Sequence, residues 1–404
     1  MKTFLKLIFI ALLCISCTPQ APNGLITGRY RGELTVKDGQ ILPFIFEVNS
    51  SQSVTFINGE EKILTTEISY QKDTVRMQLP VFEGYLLAKM TEDRLEGHFV
   101  TEGKGRRQVF KAERSDDPRF IVSEKPLVDV SGVWDVKFTE PEGETYPAMG
   151  VFEQKGANVT GTFRTNTGDY RFLEGAVKGS LLELSVFDGA HAYLFQASVK
   201  GDQMIGVYYS GDHYKETFIA LRNADFTLED PETLTYLKEG YEQIDFTFPN
   251  SEGEMVSLAD ERFDNKVVIL QLMGTWCPNC LDESKFLTSL YESYHSKGLE
   301  IVALTFEYVK TVEQANANMD RLKANLNIAY PLLLAQYGST DKALAQEKLP
   351  MINKVWSYPT TIILDRNHRV RKIHTGYNGP ATGQVYLDFV NEFTAFVETL
   401  LAED

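Results

Sequence analysis

Trp276-Cys277-Pro278-Asn279-Cys280 decides how the second half of the chain is read. It follows the apolar run Val267-Val268-Ile269-Leu270 and opens a helix-like segment over residues 281–295. A Cys-x-x-Cys pair at a strand-to-helix turn suits reversible disulfide chemistry. The first sulfur sits where unpaired backbone N–H groups and the helix dipole favour thiolate, and the second lies one turn inward. Half of a zinc site is the competing reading, and it needs two further ligands. The chain has four cysteines, and the other two lie in the N-terminal leader. His368 and His374 look like a pair, but on one strand they would stand up to roughly 20 Å apart, too far to share a metal. The reading is therefore redox, with no metal and no cofactor.

The rest of the composition sets bounds. A chain of 404 residues holds two or three domains, each with its own core. The formal charge of −16, without a basic stripe, argues against nucleic acid as a partner. Residues 1–16 read as a targeting segment. Lys2 and Lys6 precede an apolar run too short to span a bilayer. The closing Cys14-Ile15-Ser16-Cys17 resembles the bacterial lipoprotein signal. That resemblance implies cleavage after Ser16 and lipid on Cys17, although Cys14 stands where an aliphatic residue is usual. Plain secretion is the alternative. Residues 17–24 then form a polar tether, and the expected place is extracytoplasmic, on the periplasmic side, held to a bacterial membrane by acyl chains. With Cys14 removed and Cys17 blocked, Cys277–Cys280 is the one disulfide left to form.

Residues 25–222 read as β throughout. Segments such as Phe44-Ile45-Phe46-Glu47-Val48 and Leu182-Glu183-Leu184-Ser185-Val186 are bounded by Asp38-Gly39, Asn58-Gly59, Glu83-Gly84 and Asp188-Gly189, which are turn dipeptides. The stretch also repeats. Gly28-Arg29-Tyr30 answers Gly132-Val133-Trp134, and Val81-Phe82-Glu83-Gly84 answers Val186-Phe187-Asp188-Gly189. Leu95–Phe99 and Phe110–Arg114 answer Met204–Tyr208 and Phe218–Arg222. This predicts two related antiparallel modules, each a barrel or sandwich, over 25–115 and 129–223. A linker over 116–128 would join them. Tyr30, Trp134, Phe82 and Phe187, at period-two spacing, are expected in the module cores. His98, His191 and His213 show no ligand spacing and are expected to be structural or exposed. A spacer that holds the following domain away from the membrane accounts for the modules as well as a binding role does.

After a connector over 224–242, with a short helix around residues 231–241, the pattern over 243–404 becomes α/β on a mixed sheet. Three motifs give this part its character: Phe246-Thr247-Phe248-Pro249 with Gly253, Gly274-Thr275-Trp276-Cys277-Pro278-Asn279-Cys280, and Tyr358-Pro359-Thr360 before a strand. Together they resemble the thioredoxin superfamily, in particular its membrane-tethered, extracytoplasmic TlpA/ResA-like thiol-disulfide oxidoreductases. The resemblance covers about two fifths of the chain and leaves the β modules outside it.

The resemblance implies that Cys277 attacks, Cys280 resolves, and Pro359 is a cis-proline presenting the Tyr358 backbone to an extended substrate segment. Trp276 and Thr360 flank that surface. Glu283 matches a carboxylate kept beside the cysteines, on the Cys280 side of the helix. The buried aspartate that thioredoxins carry six residues before the first cysteine is here Gln271, so proton transfer falls to Glu283 or water. The expected function is a lipid-anchored reductase of protein disulfides, recharged by a membrane electron donor. A peroxiredoxin-like enzyme is one alternative, but Gly274 and Leu270 stand where the peroxidatic pattern needs Thr or Ser and Pro. A surface binding or assembly lipoprotein acting through its β modules is the other.

Overall fold

A computed structural model describes residues 24–403. Cys14, Cys17 and the leader lie outside the described residues. Two antiparallel β modules precede an α/β domain. The first has nine strands, from Gly28–Thr35 to Arg106–Arg114, and these two pair with each other, so the sheet curls into a nearly closed barrel. In the second, Gly132–Thr139 pairs with Tyr214–Arg222, and Thr145–Lys155 pairs with Asn158–Thr165 to close the ring. Three of the four repeated landmark pairs fall on corresponding first, last and penultimate strands of the two modules. The fourth, at 81–84 and 186–189, leads into the strands Tyr85–Met90 and Ala192–Lys200.

Alternation fills each barrel with aromatic rings. Trp134 is fully buried, its indole N–H donating to the Val130 carbonyl at 2.9 Å. Phe163 and Phe195 pack at 4.7 Å beside Phe138 and Phe218. Tyr30 stacks on Phe46 at 5.1 Å in the first module. Each such ring is worth about 1.5–3 kcal/mol of burial.

Two aromatics expected in their own modules go elsewhere. Phe187 of the second module enters the first module's core, 4.6 Å from Phe44. Phe82 of the first packs into the core of the α/β domain. Phe187 ends the strand Leu181–Phe187, where alternation specifies the apolar face but not which body covers it. Phe82 stands in a loop between strands, where alternation does not apply. The segment joining the modules is also more than a connector. It carries Arg119, buried, with its guanidinium on Glu174 at 3.2 Å and Ser185 Oγ at 3.3 Å.

The C-terminal sheet runs Leu332–Gln336, Leu299–Phe306, Val267–Met273, Thr360–Leu364, Val370–Thr375. The first three strands are parallel and the last two antiparallel to their neighbours. Val267–Met273 is buried at every position, as a central strand covered on both faces must be. Helices Pro278–Tyr294, Val312–Leu326 and Gln384–Ala402 supply the covering layers. The helix near Pro231 is only Pro231–Leu234, capped by Asp230. Beyond it Leu237 bridges to Ile352 and Gln243 to Arg369, so this connector lies against the α/β domain. Among the described residues no helix is long and apolar enough to cross a membrane.

A candidate thiol-disulfide site beneath the β modules

The site begins where Val267–Met273 ends. Gly274 lets the Trp276 ring fold back over the turn, since a Cβ there would stand 2.3 Å from the indole nitrogen. That nitrogen donates to the Phe306 carbonyl at 2.9 Å, which fixes the ring. Cys277 is the N-cap of the helix Pro278–Tyr294, and Pro278, whose ring presets the helical φ, takes the first helical position. The Cys280 N–H donates to Cys277 Sγ at 3.2 Å. Cys277 and Cys280 form a disulfide across 5.2 Å between Cα atoms. Anionic sulfur at position 277 would therefore meet an N–H and the positive end of the helix dipole.

Opposite the sulfurs, the Tyr358–Pro359 peptide is cis. The Tyr358 carbonyl oxygen lies 3.4 Å from Cys277 Sγ. The Tyr358 ring stacks on Phe306 at 5.2 Å and meets Trp276 edge-on at 6.0 Å. Thr360 is buried, its hydroxyl donating to the Ser357 carbonyl at 2.9 Å. The Tyr358 carbonyl thus stands against the disulfide with the Trp276 and Tyr358 rings packed together beside it, while Thr360 is turned to Ser357.

Glu283 is buried one turn beyond Cys280. Thr361 Oγ1 donates to one carboxylate oxygen at 2.7 Å and Gln271 Nε2 to the other at 2.8 Å. Gln271, at the position where thioredoxins hold aspartate, also points its amide at the Cys280 carbonyl, 3.4 Å away. Here the amide is on the strand and the acid on the helix. Burial outweighs both hydrogen bonds and raises the Glu283 pKa to about 7.

Glu307 is a second buried carboxylate, missed in the sequence. It accepts from the Thr275 N–H at 2.8 Å and from the Thr275 hydroxyl at 2.7 Å, so it braces the turn before Trp276. Burial pushes its pKa to about 7 as well. A signal existed: the parallel register pairs Met273 with Thr305, which sets Glu307 level with Thr275.

The β modules reach this site. Asn279, between the cysteines, pairs through its amide with both the N–H and the carbonyl of Asp169, each at 3.2 Å. The Asp169 carboxylate accepts from the Gly379 N–H at 2.6 Å. Arg171 donates to the Pro278 carbonyl at 3.2 Å and to Asp282 Oδ2 at 2.8 Å. It is also paired with Glu61 of the first module and with Asp188, which in turn holds His191 at 3.0 Å.

The Redoxin family profile matches residues 238–386. Thiol-disulfide oxidoreductase ResA of Geobacillus thermodenitrificans is 29% identical over 132 residues, 33% of this chain and 66% of that protein. Thioredoxin-like protein YneN of Bacillus subtilis is 29% identical over 140 residues, 35% of this chain and 73% of that protein. The chain thus spans about two thirds of the length of such relatives. A thioredoxin-family thiol:disulfide interchange protein from Chlorobium tepidum aligns with 41% of this chain and 99% of its own, at 16% identity and a TM-score of 0.31. With the disulfide at a helix N-terminus on a mixed five-stranded sheet, the family match makes the C-terminal unit a thioredoxin-superfamily thiol-disulfide oxidoreductase domain.

Proposed function

We propose that the protein is a lipid-anchored, extracytoplasmic reductase of protein disulfides. The observation that carries this reading is the Cys277–Cys280 disulfide at a helix N-terminus, with the Tyr358 carbonyl 3.4 Å from the outer sulfur. In the dithiol form, Cys277 thiolate attacks one sulfur of a substrate disulfide. The substrate S–S bond breaks, one substrate thiolate leaves, and a mixed disulfide forms at Cys277. Glu283 accepts the proton of Cys280, whose thiolate attacks Cys277 Sγ and expels the second substrate thiolate. Two electrons have then passed from the Cys277–Cys280 pair to the substrate, and a membrane-bound dithiol donor returns them. Trp276, Tyr358, Pro359 and Thr360 hold the substrate segment during the exchange.

The direction of flow is set by potential. A Cys277–Cys280 couple near thioredoxin's roughly −270 mV supports the reductase reading, and one near −120 mV makes the domain an oxidant instead. Equilibration with glutathione and dithiothreitol buffers measures it. The anchor rests on Ser16-Cys17. Mass spectrometry of membrane-extracted protein is expected to show a mature chain that begins at Cys17 and carries lipid. A chain beginning elsewhere with Cys17 unmodified removes the anchor from the proposal.

A further inference from the structure

The disulfide that should meet substrate is closed off. Cys277 is 5% exposed, Cys280 not at all, and Tyr358 7%. Around the pair lies the turn of the second barrel over residues 165–171, which meets Asn279 between the cysteines and Ser357 beside Tyr358. This segment is a tight hairpin, with Thr165 paired to Gly168 and Arg164 to Asp169, and it makes contacts aimed at backbone. Gly168 forms a parallel bridge with Tyr377, and the Thr167 carbonyl accepts from Ser357 Oγ at 3.3 Å, one residue before Tyr358. Asp169 takes the Gly379 N–H, and Asn279 takes both backbone groups of Asp169. Main-chain pairing to an exposed edge is how a redox domain of this kind would hold an extended polypeptide.

Gly168 is what lets the segment lie so close. A Cβ there would stand 1.8 Å from the Asn279 terminal amide. Around this seam the ties are polar. Arg164 donates to Asn378 at 3.2 Å, and Arg171 is buried among Glu61, Asp188 and Asp282, one acid from each of the three bodies. On the opposite side Phe82 is embedded in the α/β core, and Glu83 bonds the Tyr308 hydroxyl. Interfaces between domains of one chain that are this polar open more readily than continuous apolar cores.

We infer that residues 165–171 are an internal occupant of the substrate-docking surface, and that the β modules form a cap which must part before Cys277 meets a protein disulfide. The inference rests on the proposed reaction for the identity of that surface. Arg171 is the latch, because it ties the turn to the active-site helix and to the first module at once. Substrates, or a partner that binds the modules, gain access only in the open form, so the closed population divides the apparent rate.

The full-length reduced protein tests this. Cys277 is alkylated with N-ethylmaleimide and, separately, with a polyethylene-glycol maleimide, and the two rates are expressed as a bulky-to-small ratio. The ratio cancels any change in thiolate fraction. Cys277 keeps 5% exposure, so the small reagent reacts in the closed form and the bulky one only in the open form. The ratio for the unaltered protein is therefore expected to lie about tenfold or more below that of glutathione, the penalty for a site open a tenth of the time or less. A ratio equal to that of glutathione overturns the cap.

Asp282→Lys on the active-site helix and Asp169→Lys on the turn break the seam from opposite sides. Each variant that keeps its fold by circular dichroism should recover most of that deficit, and an unchanged ratio in a folded variant again overturns it. Should neither fold, the comparison with glutathione still decides. Insulin reduction by the same proteins separates the two ideas. A recovered ratio with no insulin reduced leaves the cap standing and sinks the reductase reading. Insulin reduced by folded variants no faster than by the unaltered protein, with an unchanged ratio, sinks the cap alone.

Discussion

Cys280→Ser is expected to abolish turnover and to leave substrates attached to Cys277. The attacking sulfur keeps its surroundings in this variant, because the donor that reaches Cys277 Sγ is the backbone N–H of residue 280 and not its side chain. Attack on a substrate disulfide therefore continues. Release does not, since the resolving thiol is gone. An intramolecular thiol acts at an effective molarity of about 10⁵ M or more, and millimolar external thiols cannot replace that. Mixed disulfides should accumulate as bands that vanish on reduction, with the crosslink mapped to Cys277. Cys277→Ser should capture almost nothing, because Cys280 is wholly buried at its position one turn inward. Equal capture by both variants reverses the assigned order of attack.

The reach of the sequence ends where side chains meet across domains. Val267–Met273 was legible because a strand buried on both faces has no polar positions to confuse it. Tyr358-Pro359-Thr360 and the cysteine pair were legible through their resemblance to a family. The strands of the two modules were legible from turn dipeptides and alternation. The packing of one body on another was not. Phe82 was expected in its own barrel, yet it lies in the loop between the strands Thr74–Gln78 and Tyr85–Met90, and the α/β domain covers it. Arg171 stands in a short turn with no spacing pattern, and its partners Glu61, Asp188 and Asp282 are scattered along the chain. The contact of the modules with the site was not legible, because no periodicity marks a turn that docks through backbone groups. Glu283 was read from the motif, but its complete burial and its bond to Gln271 needed the strand-to-helix geometry.

Glu283→Gln is expected to separate proton transfer from fold. The amide is nearly isosteric, its oxygen can accept from Gln271 Nε2, and its NH₂ can turn to the Thr361 hydroxyl. The unfolded glutamate ionises near 4.5, whereas in the fold burial holds the proton until about pH 7. Between those values the folded state binds more protons, so stability falls as pH rises through that window. Holding the carboxylate ionised above pH 7 costs about 3 kcal/mol by that shift. The variant should therefore match the unaltered protein in stability below pH 4.5. At pH 8 it should exceed it by about 1–3 kcal/mol, after the loss of charged hydrogen bonds. Rate should move the other way. The proton acceptor is the carboxylate, present above about pH 7. Release of thionitrobenzoate from a Cys277 adduct, followed by stopped flow, reads the Cys280 step directly. The deficit of the variant should reach about a hundredfold at pH 8 and shrink as pH falls below 7, where the unaltered protein loses its base too. A stability gain at pH 8 with superimposable rate profiles would make Glu283 a buried acid without a part in the exchange, and the proton of Cys280 would then leave through water.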